Sequence, residues 1–543
     1  MIVASLYSRE SFPTVRETLK ACLSFAVVDA VHLFCNYGSQ TEPGLATGGL
    51  ESVIDELDEA DQRIPGGRFH IRGSAELALL GPEYDCTFLV GGRMFVPLAQ
   101  RRMVTGDSTA PICSILTGPD LPTQLSSYIG ILASAGIQDA LVTTCGAELA
   151  AVRKGMEQGR TLLADLIPEL ELASDKMSVV QIPPAINPAR LSILDRIACR
   201  SMLGLEKDAT IVLNVGKWPK ECSPDLEPLL YAFRLLLDEN PNLLLVLANN
   251  DRDIKHSQEF NEYCQWLGLG PRIKALPSFQ DPLKAIAFSA ADVVVSLTDN
   301  VVSPFDHSVL EAMVCGIPVV ASDWCGNKEM VLHGETGFLV PTLWNEPAAA
   351  IVPWLIPGLD EVEAGSYLAR RTIVDIQCLI TYLRTLTDNG ALREKLGGAG
   401  RRRVLECFTW DQIIKRFQSL WEEQTKRQHR AERGTVLGSP FRFDAICRQY
   451  ASRSLSFDME IVTSERAAAF VSLPGGDSFP IHMGGVVGEF RNEILRILDY
   501  CTFPRTIQSV RDSGNEFAYE AVVWLLKKGF CELRYSSSQN AAS

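Results

Sequence analysis

Short apolar runs alternate with amphipathic, helix-like segments along most of this chain, and this alternation restricts the fold more than any other feature. The runs are bounded by polar residues or glycine, as the buried strands of parallel sheets are. Strands that alternate with helices build layered α/β domains. The predicted strands span residues 26–37, 85–92, 110–116, 139–145, 209–216, 242–250, 271–278, 291–300 and 317–323.

A boundary between two α/β units is predicted at residues 174–191, where a strand is followed by three prolines within six residues and then by a new helix. Residues 223–241 are typical of a helix with a serine N-cap and an Asn-Pro stop. From about 375 to 425 the chain is predicted to be helical, and its arginine triplet at 401–403 is interpreted as a solvated helix face. Two α/β units suggest a ligand held between them, beyond the carboxyl ends of the strands.

Composition and charge argue against several classes of protein. The chain has 51 Lys and Arg residues against 66 Asp and Glu residues, a net charge of −15, and such an acidic surface repels nucleic acids. No apolar run reaches the roughly 18 residues that a membrane span needs, and the first residues lack the pattern of a secretory signal. The 15 cysteines are scattered, which is typical of reduced thiols. We therefore expect a cytoplasmic protein with no membrane span and no nucleic-acid partner.

The chemistry is concentrated in residues 292–341, where strand, loop, helix, strand and loop follow one another. The first loop ends with Asp306, His307 and Ser308 near the helix start, where free backbone N–H groups and the helix dipole suit a phosphate. Glu311 lies one turn into that helix, and a carboxylate there can accept hydrogen bonds from the two hydroxyls of a ribose. This segment therefore predicts a nucleotide site.

Four motifs make the segment recognisable. They are SPFD at 303–306, LEAM at 310–313, CGIPVVAS at 315–322 and HGETGFLV at 333–340. In this order and near these spacings they resemble the nucleotide-binding half of retaining family-4 glycosyltransferases of the GT-B fold. The resemblance covers roughly residues 205–425, is weaker across 110–190, and gives way to general α/β character before residue 110.

The resemblance implies an architecture for the whole chain. A GT-B fold has two Rossmann-like domains that face a central cleft, here an acceptor domain at 1–190 and a nucleotide-sugar domain at 191–405. A closing helix at 406–430 is expected to cross back to the first domain. Residues 440–543 are an addition to this plan, predicted as a small α+β, winged-helix-like interaction domain.

Position by position, the resemblance keeps only part of the family's site. Glu311 matches the second glutamate of the Glu-x7-Glu motif, which is similar to a ribose ligand, but the first glutamate falls at Ser303. Asp306 stands where the family has a glycine that lets the donor approach closely. His307 is a candidate to replace the missing polar contact.

The cationic part of the site is also altered. Lys217 stands where the family has an arginine, and Cys222 where it has a lysine, with Lys220 two residues away. Lysine is a point charge where arginine is a bidentate fork, and both lysines are predicted to stabilise the leaving diphosphate. The predicted catalytic residues are Lys217, Lys220, Ser303 and His307. The predicted nucleotide-sugar ligands are Gly216, Lys217, Lys220, Ser278, Phe279, Pro304, Phe305, Asp306, His307, Ser308 and Glu311.

Neither a protein-bound metal nor a separate cofactor is predicted. The seven histidines are scattered without a paired ligand spacing. The resembling family needs no metal, because cationic side chains and a helix N-terminus hold the diphosphate. The nucleotide-diphosphate sugar is therefore expected as a co-substrate alone.

The predicted function is transfer of a sugar from a nucleotide-diphosphate sugar to an acceptor, with retention at the anomeric carbon. Residues 440–543 are similar to winged-helix elements that hold precursor peptides in peptide-modifying enzymes, which makes a peptide or protein a candidate acceptor; a generic interaction module and a packing domain stay open for these residues. A lipid-linked sugar, a polysaccharide and a small metabolite stay open as acceptors. The alternative function is a non-catalytic GT-B-like protein that binds a partner, which Ser303, Asp306 and Cys222 favour.

Overall fold

Two parallel sheets dominate the computed structural model of the chain. The residues that the structure describes are 2–6, 30–35, 69–73, 86–90, 95–96, 99, 111–116, 125–166, 177–191, 193–216, 226–249, 262–276, 283–299, 305–344, 369, 372–428, 455–465, 467, 489–514, 518–527 and 530–534.

The first sheet has seven strands, which are β1 Ile2–Leu6, β2 Ala30–Cys35, β3 Phe69–Gly73, β4 Cys86–Val90, β5 Ile112–Ile115, β6 Ala140–Thr143 and β7 Ser178–Gln181. All neighbours pair in parallel, in the order β3-β2-β1-β4-β5-β6-β7. Helices α1 Leu125–Ser134 and α2 Gly146–Leu166 pack their apolar faces on β5 and β6. The four strands predicted before residue 150 are confirmed.

The second sheet has six strands, which are β8 Thr210–Gly216, β9 Leu243–Asn249, β10 Ile273–Leu276, β11 Val293–Ser296, β12 Val319–Ser322 and β13 Gly337–Val340. They are parallel in the order β10-β9-β8-β11-β12-β13, and two short antiparallel strands follow, β14 Thr342–Trp344 and β15 Thr372–Val374. The described residues of this domain form the helices α3 Arg196–Met202, α4 Glu227–Glu239, α5 Leu283–Ala290, α6 His307–Val314, α7 Asn327–Met330, α8 Ile376–Asp388 and α9 Gly390–Cys407.

Both faces of the second sheet are buried. Ile211 and Leu213 of β8 belong to one core cluster, and Val212 between them belongs to the cluster on the other face. Because successive side chains of a strand point to opposite faces, a strand covered on both sides is apolar at most successive positions. This explains why the strands of this sheet are continuous apolar runs, and all five strands predicted between residues 209 and 323 are confirmed.

The helix predicted at 223–241 is confirmed, but its predicted serine cap is wrong. The helix begins at Glu227, and Leu226 occupies the N-cap position without a side-chain hydrogen bond. Ser223 lies outside the described residues. The helix ends at Glu239 with Asn240 as its C-cap, where the Asn-Pro stop was expected.

The CGIPVVAS and HGETGFLV motifs form turns that let helix and strands approach closely. Gly316 has φ +73°, in the left-handed region that glycine tolerates. A Cβ on Gly397 of α9 would lie 1.9 Å from the carbonyl oxygen of Gly316. A Cβ on Gly337 would lie 2.4 Å from the carbonyl oxygen of Val319. These motifs therefore specify packing around the site.

The prediction of a solvated arginine face on α9 is wrong for two of its three arginines. Arg401 Nη1 donates to the carbonyl oxygen of Val314 at 2.7 Å. Arg403 donates to the carbonyl oxygens of Glu329 and Met330 at 2.6 and 2.9 Å. These are the last carbonyls of α6 and α7, which have no partner inside their own helices. Helix α9 therefore fixes the two helices that border the candidate site.

Helix α10 Trp410–Gln428 joins the second domain to the first. Gln424 is 1% exposed, and its Nε2 donates to the carbonyl oxygens of Ile112 and Gln138 in the first domain, at 3.3 and 3.0 Å. Just before the helix, the Phe408 carbonyl accepts the backbone N–H of Ile186 at 2.8 Å. The end of the second domain therefore completes hydrogen bonding in the first.

A separate unit lies at the C-terminus. Three antiparallel strands, β16 Glu460–Thr463, β17 Arg505–Thr506 and β18 Cys531–Arg534, pair in the order β17-β16-β18. The helices α11 Glu489–Tyr500, α12 Ile507–Ser513 and α13 Ala518–Lys527 pack on them around a core of their own. These three helices all lie within the described part of residues 455–534. The winged-helix likeness stays a prediction.

In the part of the chain that the structure describes, we find no helix long and apolar enough to cross a membrane.

Candidate functional site

The candidate site lies at the carboxyl edge of the second sheet, where the strand order reverses. Strand β8 pairs with β9 on one side and β11 on the other, and ligands of open α/β sheets bind at such a reversal. Gly216 ends β8 at this edge, and among the described residues no atom lies within 4 Å of the place that a Cβ would take. Glycine at this position adds no side chain of its own between the backbone and a ligand.

Helix α6 starts at the same edge and is capped by Asp306. The Asp306 carboxylate accepts the backbone N–H of Ser308 at 2.9 Å and the hydroxyl of Ser296. The helix N-terminus predicted for a phosphate is confirmed as a helix N-terminus, but one of its N–H groups is already satisfied by this carboxylate. A phosphate bound at this helix start would lie close to the negative charge of Asp306, which opposes the favourable field of the helix dipole.

Aromatic rings flank this helix start. Phe305 is buried, and its ring centroid lies 5.7 Å from that of His307 at an interplanar angle of 67°. The His307 side chain is exposed to solvent, yet the protein around it desolvates the imidazole and lowers its pKa. The Asp306 charge acts in the opposite direction, and the Lys284 charge lowers the pKa further. His307 is therefore a neutral hydrogen-bonding group at neutral pH.

Glu311 lies one turn into α6, as predicted, and forms an ion pair with Lys284 of α5. The two side chains are 15% and 25% exposed, respectively. Sequence reasoning missed Lys284. The signal that could have found it is its isolation, since it is the one charged residue in the helix LKAIAFSA.

Several predicted site residues cannot be placed at this edge. Lys217, Lys220, Ser278, Phe279, Ser303 and Pro304 lie outside the described residues. Of the predicted set, the structure brings together Gly216, Phe305, Asp306, His307, Ser308 and Glu311 at one edge of the second sheet.

The wall of the site is a buried polar network at the ends of β11 and β12. The Asn327 amide donates to the hydroxyls of Thr298 and Ser322, at 2.9 and 3.3 Å. The Ser322 hydroxyl donates to the Thr298 carbonyl at 2.6 Å. A buried network in which each group has a partner holds one arrangement of the backbone, so Thr298, Ser322 and Asn327 fix the ends of β11 and β12 relative to each other.

The two domains meet through Glu329 of α7, which the sequence did not indicate. Its carboxylate accepts the backbone N–H of Gly146, the first residue of α2, at 2.5 Å, and the side-chain amide of Gln181. A carboxylate at a helix N-terminus is favoured by the helix dipole. Beside this contact the buried Cys145 accepts a hydrogen bond from the Cys325 thiol, which lowers the pKa of Cys145.

Glu148 of α2 gives this interface a dependence on pH. Burial raises the pKa of its carboxyl to about 7, against the opposing hydrogen bonds from the Thr144 backbone and hydroxyl at 2.6 and 2.9 Å. The unfolded carboxyl titrates near ~4.3, so between these values the folded protein holds a proton that the unfolded chain releases. This contribution to stability is complete below the unfolded pKa and is lost as the pH rises toward 7.

Glu148→Gln is therefore expected to flatten the fall in stability across that interval. Melting curves at half-unit steps between about pH 4.5 and 8 measure it. Glu157→Gln, on the same helix but exposed, is the matched control and should follow the wild-type profile. Parallel profiles for wild type and Glu148→Gln would contradict the assignment.

Comparison with solved structures confirms the GT-B fold. Sucrose-phosphate synthase from Thermosynechococcus elongatus is similar over 79% of this chain and 100% of its own, with a TM-score of 0.52 and 20% identity. Anabaena HepE in complex with UDP is similar over 78% of this chain and 99% of its own, with a TM-score of 0.54 and 15% identity. At these identities the likeness shows the architecture alone.

Sequence comparison relates part of the second domain to a known family. Residues 195–356 match the model of the family "Glycosyl transferases group 1". The D-inositol 3-phosphate glycosyltransferase of Geodermatophilus obscurus is 27% identical over 274 residues, 49% of this chain and 52% of that protein. The protein of the same name from Actinosynnema mirum is 31% identical over 204 residues, 36% of this chain and 48% of that protein. The chain thus spans about half the length of these curated relatives.

Proposed function

We propose that the protein is a glycosyltransferase that takes its sugar from a nucleotide-diphosphate donor. The observation that carries the proposal is Glu311, one turn into α6 at the reversal of strand order, inside the segment that matches the glycosyltransferase family. A carboxylate there accepts ribose hydroxyls while the helix start faces the diphosphate. We propose UDP as the nucleotide, because HepE, which shares this fold, was crystallised with UDP.

The chemistry assigns a role to each group at the edge. Cleavage of the bond between sugar and diphosphate leaves negative charge on the departing phosphate, and Lys217 and Lys220 follow β8 closely enough in sequence to stabilise it. His307 offers a hydrogen bond to a sugar hydroxyl without adding charge, because its pKa is lowered. The Ser303 hydroxyl would take the place of the family's first glutamate. We propose retention at the anomeric carbon and independence of metal ions from the resemblance of the four motifs.

The acceptor we propose is a peptide or protein held by the C-terminal unit. Support comes from its separate core and from the exposed Phe503, which is 72% accessible beside β17. An aromatic side chain left open on a small interaction module suits a peptide partner.

A non-catalytic binding protein is the second candidate. The observation that favours it is Asp306, whose carboxylate occupies an N–H of the helix start that a diphosphate would use. Such a protein would have a cleft of the same shape but no micromolar affinity for a nucleotide.

Calorimetric titration with UDP, GDP, ADP and their sugar conjugates tests the proposal. We expect micromolar binding of one nucleotide, weakened about tenfold or more in Glu311→Ala, since a hydrogen bond to a charged group is worth about 1.5–3 kcal/mol. Glu335→Ala is the matched control, because Glu335 is an exposed carboxylate of the same domain. Glu311→Gln serves as a second variant that keeps the shape of the side chain. A folded protein that binds none of these nucleotides would contradict the transferase proposal and favour the non-catalytic binding protein.

A further inference from the structure

The Lys284–Glu311 pair stands out among the ion pairs of the described residues because it lies at the site. Both residues belong to helices that begin at the carboxyl edge of the second sheet. Helix α5 follows β10 and carries Lys284 as its second residue, while α6 follows β11 and carries Glu311 one turn from its start. The pair thus lies where a ligand of this sheet would bind.

The Lys284–Glu311 pair differs from a surface ion pair because it is partly buried. Exposed pairs such as Lys154 with Glu157, each 64% accessible, are screened by water and hold no fixed geometry. Lys284 and Glu311 are 25% and 15% accessible. At that degree of burial the ammonium restricts the rotation of the carboxylate, because the charge of either partner is poorly solvated alone.

The contact also has a direction. The Lys284 ammonium donates to Oε1 of Glu311, so this oxygen is held from the side of α5. A carboxylate fixed in this way presents its acceptor lone pairs to a ligand in one orientation. Two adjacent ribose hydroxyls are donors that such a carboxylate recognises, and a carboxylate free to rotate would recognise them less selectively.

We propose that Lys284 is a positioning residue that sets selectivity for a ribonucleotide, acting through Glu311. The inference rests on the proposed function, because it assumes that Glu311 binds the ribose. Lys284 does not need to touch the donor in this role. The charge of Lys284 also helps to lower the pKa of His307, so it acts on a second residue of the α6 start. The preference for ribose over 2′-deoxyribose is therefore a property of the pair.

Calorimetric titration with UDP and 2′-deoxy-UDP tests the inference. We expect wild type to bind UDP about tenfold more tightly than 2′-deoxy-UDP, as follows from loss of one hydrogen bond to a charged group. In Lys284→Met the UDP affinity should fall, the affinity for 2′-deoxy-UDP should change little, and the preference should drop to about twofold or less. Lys284→Arg keeps the charge and should restore part of the preference.

Matched controls separate positioning from general damage. Lys395→Met removes an exposed lysine from α9 and should leave both affinities unchanged. Lys284→Gln, which keeps a hydrogen-bond donor without the charge, repeats the test if Lys284→Met does not fold. A wild type that prefers ribose and a Lys284→Met variant that keeps the same preference would overturn this inference alone. A folded wild type that binds no nucleoside diphosphate overturns the proposed function and the inference with it.

Discussion

Arg200→Met is expected to lower the free energy of unfolding of the second domain by about 3 kcal/mol. Arg200 is 5% exposed, and its Nη2 pairs with Asp292 Oδ2 at 2.6 Å. The same guanidinium donates to the carbonyl oxygens of Lys207, Ala209 and Ala290 at 2.5, 3.0 and 3.1 Å. Removing it leaves a buried carboxylate and three carbonyls to find new partners.

The expected loss is at the lower end of the range for a broken buried pair, about 3–5 kcal/mol, for a structural reason. Asp292 keeps two other partners, Arg196 Nη1 at 2.9 Å and the backbone N–H of Ile211 at 2.8 Å. Urea denaturation followed by circular dichroism measures the loss. Arg234→Met breaks an exposed pair with Asp238 and should cost about 0.5 kcal/mol or less. Equal losses for the two variants would contradict the assignment.

Gly397→Ala is expected to cost about 2 kcal/mol or more, although alanine is the better helix former. The new methyl group would lie 1.9 Å from the carbonyl oxygen of Gly316 and 3.3 Å from the backbone nitrogen of Ile317. Both contacts are with backbone, so no side-chain rotation relieves them. Helix α9 would have to move away from the turn that ends α6, and with it the arginines that cap α6 and α7.

The next residue provides the control for this substitution. A Cβ on Gly398 would meet only the guanidinium tip of Arg402 at 4.0 Å among the described atoms. Gly398→Ala should therefore stabilise the protein by up to about 1 kcal/mol, the ordinary gain of alanine over glycine in a helix. Thermal melts of the two variants should shift in opposite directions. A Gly397→Ala protein as stable as wild type would show that α9 does not need this close contact.

Much of the second domain could be predicted from sequence because its strands and helix starts are determined by residues close together in the chain. A parallel strand buried on both faces is an apolar run, so the strands between residues 209 and 323 were readable one by one. The start of α6 was readable because Asp306 is a strong N-cap residue. The order of the four motifs then predicted the GT-B fold.

The contacts that sequence reasoning missed all join residues far apart in the chain. Arg401 and Arg403 have the composition of a solvated face, and the carbonyls that they cap lie 87 and 73 residues away. Lys284 and Glu311 are 27 residues apart, and although Lys284 is the one charged residue of its helix, no local pattern pairs it with Glu311. Glu329 reaches a helix start 183 residues earlier. Contacts between side chains that are distant in the chain depend on how the helices pack against one another. A local sequence pattern does not predict that packing.

Helix α10 also has a consequence for the order in which the chain matures. The carbonyl of Gln138 accepts its hydrogen bond from the side-chain amide of Gln424, which lies 286 residues later in the chain. At ~5–20 residues per second, that amide is synthesised roughly 15–60 s after the carbonyl. Until then only water can donate hydrogen bonds to the carbonyls of Ile112 and Gln138 in place of Gln424. The first domain therefore leaves the ribosome before these two hydrogen bonds have formed. The first domain reaches its full stability only once Gln424 has been synthesised. A protein truncated before Gln424 should therefore have a less stable first domain than the full chain.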